Sequence, residues 1–391
     1  MIDTVLLRIP YPQFHVLHAE YFSPRVVFNT NDQITAEVKE KDVRKKFVQN
    51  KSAYDTKESI YKPQVALYQQ MKKDSRELEW FMTVQCSLSK LLFGESIREL
   101  VESDFGRVCT ELQHKLNVMG IQISIAYLEN SVLGKVHFGK NILIPKEYSV
   151  AEAIALLSKT TTQRKVMYRQ THYENSGEAL HLYTSSHGII FYDKLKDLER
   201  TKNTAIDKSR TRKEQEIGTT LFKEQKQILR FEIRYNGGQT VTAKLKEWSE
   251  GAKEKIRLKD IFKENVWSDV LTREWEQIVQ SEASKLALRF EIAPEEALKA
   301  LLSHYSSKDK NIYTLTKTLK QYGTYRAIQD MGVTAFRKMF EQQFSTKTVR
   351  TRLDNDIAEV EAITRDIPVH PIIADIDAQI RKCTPLTHLD Y

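Results

Sequence analysis

The sequence predicts an α+β protein, an antiparallel sheet with flanking helices followed by a mainly helical C-terminal domain. Short runs in which β-branched and aromatic residues alternate with polar ones recur up to Tyr235. Helical segments fall among them without the regular strand–helix–strand alternation of a parallel sheet. Beyond Asn236-Gly237-Gly238, a strong turn signal, the periodicity is almost wholly helical. That turn sets the expected boundary, with domains at residues 1–238 and 239–391.

Ile2 to Pro10 sets Val5, Leu7 and Ile9 against Leu6 and Arg8 and predicts a first strand stopped by proline. Residues 11–75 read as strands joined by exposed loops. Leu78 to Ser87 puts Trp80, Met82, Val84 and Cys86 on one face and predicts a central strand. Ile97, Leu100, Val101, Val108, Leu112 and Leu116 recur at helical spacing and predict a helix over 96–117. Ile121 to Ile144 is apolar enough for one or two strands, and Ser149 with Glu152 forms a capping-box pattern before a helix. Arg164 to Tyr173 predicts another strand.

A hairpin over Glu178–Lys194 follows, turning at Ser185-Ser186-His187-Gly188. Its second arm is apolar until Tyr192, Asp193 and Lys194, which emerge together where the strand leaves the core. Residues 195–227 read as exposed helix, and Arg230–Tyr235 returns to the sheet. In the last third, Gly323 to Gly332 and Val333 to Phe344 have helix-turn-helix proportions, although a generic helical hairpin would look the same.

Sixty Lys and Arg against 52 Asp and Glu give a net charge of +8, a bias towards polyanions. It is concentrated late: from Tyr305 to Arg352, ten Lys and Arg stand against three Asp and Glu. Three cysteines, far apart in the chain, exclude a zinc cluster and a disulfide framework and favour a reducing compartment. No apolar run approaches membrane-spanning length, and the first residues lack the basic start and apolar core of a signal peptide. The expectation is an intracellular protein without membrane association.

Four stretches, in order, resemble one family, the filamentous-phage gene II/X type of replication initiator, and more loosely the rolling-circle plasmid initiators. MIDTVLLRIP at the start is similar to the family's first strand. Phe191-Tyr192-Asp193-Lys194-Leu195-Lys196 resembles the segment carrying its nicking tyrosine, Arg230-Phe231-Glu232-Ile233-Arg234 its RFE strand, and Thr318 to Ala327 the start of its helical C-terminal region. The resemblance implies that Tyr192 attacks a DNA phosphodiester at an origin, keeps the 5′ phosphate as a phosphotyrosine and later rejoins ends, with Lys194 stabilising charge. It also implies a bound Mg²⁺ or Mn²⁺ held by Glu232 and His137, where His137 occupies the position of a family aspartate and tilts the preference towards Mn²⁺.

The His-hydrophobic-His pair of the broader nickase class is absent. His15 and His18 read as structural and His181 as a possible further ligand; Tyr183 and Tyr168 are the substitutes should Tyr192 not be the nucleophile. Lys317, Lys320, Arg326, Arg337, Lys338, Arg350 and Arg352 are the candidate DNA contacts. The implied partners are double-stranded origin DNA, single-stranded DNA, and a host helicase and polymerase in a bacterial cytoplasm. A non-catalytic DNA-binding repressor or replication accessory protein of the same fold is the alternative.

Overall fold

A computed structural model describes residues 1–26, 45–49, 59–71, 77–160, 169–172, 179–199, 211–249, 255–289, 294–307, 312–344 and 347–387. Tyr168, one of the substitute nucleophiles, lies outside them. The strands are β1 (Ile2–Pro10), β2 (Phe14–Val16), β3 (Phe22–Ser23), β4 (Lys45–Gln49), β5 (Gln64–Met71), β6 (Leu78–Ser87), β7 (Ile121–Ile123), β8 (Val132–Leu143), β9 (Arg169–His172), β10 (Ala179–Tyr183), β11 (His187–Asp193) and β12 (Ile228–Asn236). Ten form one antiparallel sheet in the order β3-β4-β5-β6-β1-β8-β12-β11-β10-β9, and β2 pairs with β7 apart from it.

The expected first strand therefore lies inside the sheet, and Leu78–Ser87 is interior beside it. The predicted hairpin is β10–β11, although its turn closes earlier than expected: Thr184 N–H bonds to the His187 carbonyl at 2.7 Å, so His187 and Gly188 already belong to the second arm.

The helix expected over 96–117 is shorter, running Phe105–Val118 (α1). Glu95 folds the preceding segment into a turn by accepting from the Arg98 amide at 2.9 Å, and Asp104 accepts from the Val101 amide at 3.1 Å. Local carboxylate-to-amide bonds there outcompete the helical ladder that the apolar spacing suggested. The Ser149–Glu152 capping box forms and starts α2 (Val150–Ser158). Residues 194–199 and 212–223 are helices α3 and α4, whose Leu195, Leu198 and Leu221 are buried rather than exposed.

Alternation gives the central strands one apolar face. Val136 and Phe138 of β8, Phe231, Ile233 and Tyr235 of β12, and Ile189 and Phe191 of β11 are all buried. Phe191 and Phe231 stack with centroids 5.0 Å apart, and each meets Trp275 edge-on. Burying such a phenylalanine contributes about 1.5–3 kcal/mol. Trp275 sits on α6 (Glu264–Val279), and the same core takes Val241 and Leu245 of α5 (Gly238–Leu245). It also takes Ile372, Ile373, Ile376 and Ile380 of a helix near the end of the chain, Pro371–Lys382.

The boundary expected at residue 238 therefore cuts through a core. Gly237, at φ 88°, makes the predicted turn, but the helices after it cover the apolar sheet face that would otherwise meet water. The separate helical unit lies between: α7 (Glu282–Ala287), α8 (Pro294–Ser306), α9 (Ile312–Met331), α10 (Val333–Gln343) and α11 (Lys347–Thr364) share a second core that includes Leu286, Tyr325, Ile328, Phe336 and Val360. Gly323 does not interrupt α9, a continuous helix of 20 residues, and the chain turns only at Gly332, at φ 80°. Helix Pro371–Lys382 is α12. Among the described residues no helix is long and apolar enough to cross a membrane.

Candidate active site

The face of the sheet opposite Trp275 is polar, and strand register decides what meets there. Arg230, Glu232 and Arg234 alternate with the buried Phe231, Ile233 and Tyr235, so the three charged side chains share one face of β12. On β11, Tyr192 is directly opposite Arg230 and Ile190 opposite Glu232; on β8, Asn141, Gly139 and His137 are opposite Arg230, Glu232 and Arg234. Tyr192 and Glu232 are thus diagonal neighbours, within reach of a long aromatic side chain.

The phenol and the carboxylate meet. Tyr192 Oη donates to Glu232 Oε2 at 3.2 Å. Glu232 Oε1 accepts from Arg234 Nε at 2.6 Å and lies 3.1 Å from His137 Nδ1. Burial alone would raise the Glu232 pKa, but Arg234, the hydrogen bond and charge of His137, and Arg230 outweigh it and hold the carboxyl well below its ordinary value. Burial pushes the Tyr192 phenol well above 10, and the Glu232 charge adds to it. Burial also lowers the His137 pKa against the pull of Glu232. The resting site is a protonated phenol and a neutral imidazole on one anionic carboxylate.

Lys194 is not on an extended continuation of β11, as the sequence suggested, but is the first residue of α3. Its ammonium nevertheless lies 6.0 Å from the centre of the Tyr192 ring, and burial lowers its pKa. Asp193 makes the break: its Oδ1 accepts from the amides of Leu195 at 3.0 Å and Lys196 at 3.1 Å, a structural role that turns strand into helix.

Arg230 was quoted in the sequence only as part of a motif, yet it is the most enclosed cation of the site. Its Nη1 donates to Asn141 Oδ1 at 3.1 Å and its Nη2 lies 3.4 Å from Asp3 Oδ2. The guanidinium lies across Gly139, where a Cβ would come 2.2 Å from Nη2, so only glycine leaves room for it. The signal in the sequence is the Arg-x-Glu-x-Arg spacing, which puts three charges on one face of a strand.

The two residues expected to hold a metal are bonded directly to each other. As arranged, Glu232 stands behind His137 as the acceptor that fixes the ring tautomer, and His137 Nε2, buried and without a hydrogen-bond partner among the described residues, is the donor atom left for a divalent ion. The residues fit one imidazole ligand rather than a chelate of both. Among the described residues no group of three or more His, Cys, Asp or Glu is placed to hold a metal. His181, on β10, belongs to the same face, opposite Ile190, where burial and then the Arg234 charge lower its pKa.

The candidate DNA contacts are all on α9, α10 and α11, away from this cluster in sequence. Four are paired: Lys317 with Glu359 at 2.7 Å, Lys320 with Asp356 at 2.5 Å, Arg326 with Asp330 at 3.4 Å and Arg337 with Asp354 at 2.6 Å. Lys338, Arg350 and Arg352 are exposed. The basic surplus counted to Arg352 is partly offset by Asp354, Asp356, Glu359 and Glu361, which follow it on α11.

Neither a curated protein nor a solved structure matches the chain. The family described as the N-terminal region of the phage gene II replication-associated protein matches residues 1–254, spanning β1, the Tyr192 strand, the Glu232 strand and the first helix beyond Gly237. The chain belongs to that family, the filamentous-phage gene II-type replication initiators.

Proposed function

We propose that the protein initiates rolling-circle replication by nicking one strand at its origin and rejoining it through Tyr192. The observation that carries this is the Tyr192 hydroxyl at 3.2 Å from a carboxylate that Arg234 and His137 hold in place. In the step, Tyr192 Oη forms a bond to the scissile phosphorus and its proton passes to water. The bond from phosphorus to the 3′ oxygen breaks, and that oxygen leaves as a 3′ hydroxyl with a proton from water. The product is a 5′-phosphotyrosine, and attack by a 3′ hydroxyl reverses the step without ATP because the phosphodiester energy is conserved.

A phenol whose pKa lies above 10 is a weak nucleophile at neutral pH, so charge has to be supplied locally. Lys194 beside the ring and Arg230 opposite it favour the phenolate as it forms. Glu232 accepts the phenol's hydrogen bond and so aims its oxygen, and Arg234 and His137 hold the carboxylate's orientation. A Mg²⁺ or Mn²⁺ ion on His137 Nε2, when bound, would draw charge from the non-bridging phosphate oxygens. The exposed basic residues of α9–α11, Lys338, Arg350 and Arg352 with the paired Lys317, Lys320, Arg326 and Arg337, would hold the origin duplex through its phosphates. Host helicase and polymerase would then use the melted strand and the free 3′ hydroxyl.

Supercoiled plasmid carrying the origin, incubated with the protein and Mn²⁺, is expected to give open circles with protein covalently attached. Tyr192→Phe is expected to lower nicking by about a thousandfold or more while leaving the gel shift intact. Nicking that survives Tyr192→Phe would move the nucleophile to Tyr183 or Tyr168. No nicking by either protein with any divalent metal would leave a DNA-binding repressor or accessory protein.

A further inference from the structure

Two rings on the polar face are not used by the chemistry above. His181 and Tyr183 alternate along β10, so they lie on one face, and their rings stack with centroids 4.6 Å apart at 30°. Both are half-buried, unlike the core aromatics of the opposite face. Register puts Tyr183 opposite Gly188, Gly188 opposite Arg234, and His181 opposite Ile190, the residue two before Tyr192. A Cβ at Gly188 would come 3.0 Å from His181 Nε2, so the imidazole lies over the Gly188 backbone of β11.

The Arg234 side chain is 34% exposed, and Glu232 fixes its Nε, so the guanidinium is held in place at the solvent boundary. An aromatic ledge one strand from a nucleophile, with a guanidinium beside it, combines a stacking surface for a nucleobase with a donor fork for a phosphate.

We propose that His181, Tyr183 and Arg234 form a subsite for a nucleotide of single-stranded DNA flanking the scissile phosphate, its base extending the His181–Tyr183 stack from its outer face and its phosphate held by Arg234. The proposal deepens the strand-transfer reading and rests on it for the identity of the ligand. Stacking is tolerant of sequence because every base has a π-face, so this subsite grips the melted strand while origin recognition is made elsewhere.

The test is binding, measured by fluorescence anisotropy in the Tyr192→Phe protein without divalent metal so that nothing is cleaved. The probes are a twelve-residue oligothymidylate and a twelve-residue abasic strand of tetrahydrofuran units. Tyr183→Ala and His181→Ala are each expected to weaken the thymidylate about tenfold and leave the abasic strand unchanged. Tyr183→Phe, which keeps the ring, is expected to bind like its parent. Arg234→Gln is expected to weaken both strands.

Equal thymidylate affinity in Tyr183→Ala and its parent, or a loss in Tyr183→Phe as large as in Tyr183→Ala, would overturn the stacking role. An unchanged abasic affinity in Arg234→Gln would overturn the phosphate contact. Because no divalent metal is present, nothing is cleaved whichever tyrosine is the nucleophile, and these outcomes do not depend on its identity.

Discussion

The polar face of the sheet and the helical unit of residues 282–367 are both rich in charge, but they use it differently. In the sheet, Glu232, Arg230 and His137 are buried, and each is fixed by the register of β8, β11 and β12. In the helical unit three of these pairs join neighbouring helices and Arg326–Asp330 lies along one, and the side chains of Lys317, Lys320, Arg326 and Arg337 are 34–45% exposed. A buried charge that loses its partner stays uncompensated, whereas an exposed one returns to water. The first arrangement suits a reaction that needs fixed geometry. The second suits a polyanion that displaces weak partners and exchanges quickly.

Removing the central acceptor of the sheet cluster should separate the two regions most. Glu232→Gln leaves Arg234 and His137 facing a neutral amide in a buried site and is expected to cost about 3–5 kcal/mol of stability, together with loss of nicking. Chemical denaturation measures it. A cost below 1 kcal/mol would mean that the polar face is no more constrained than the helical surface.

A smaller effect is expected at acid pH from Glu274, buried beneath the other face. Burial would raise its pKa, but the His187 and Lys244 charges and the Tyr235 hydroxyl outweigh that and hold it below the ordinary value. A carboxyl depressed on folding contributes stability that is fully present above its unfolded pKa, about 4.3, and is lost as pH falls through the lower folded value. Melting temperature should therefore fall below that pH in the parent and fall less in Glu274→Gln. Parallel acid limbs in the two proteins would show that Glu274 is not the group responsible.

The smallest effect on stability should come from the helical surface. Lys320→Ala and Arg337→Ala are each expected to change stability by less than about 1 kcal/mol, and to reduce the salt dependence of duplex binding by about one phosphate contact if they touch DNA. A large destabilisation would place these pairs with the sheet cluster after all. An unchanged salt slope would remove them from the DNA interface.

Much of the sheet was legible in the sequence because a half-buried strand writes its two faces as alternation. Ile2–Pro10, Leu78–Ser87, the first hairpin arm and Arg230–Tyr235 all do this, and Ser149 with Glu152 marks a helix start that depends only on neighbouring atoms. The helix expected over 96–117 misled because apolar spacing was counted across Glu95 and Asp104, whose carboxylates bond amides locally. The Gly237 turn was legible as a turn but not as a place where the core continues, since which face a later helix covers is a long-range matter.

Of the site, the sequence by itself determined a phenol at the end of an apolar strand, and the family resemblance pointed to Glu232 and His137. Only the tertiary structure decided that Tyr192, Glu232 and His137 from three strands are in direct contact, that Glu232 bonds His137 rather than sharing an open point with it, and that Gly139 makes room for Arg230. Alternation fixes which way a side chain points along its own strand. The pairing of β8, β12 and β11, set by which apolar residues stack over Trp275, fixes what it meets.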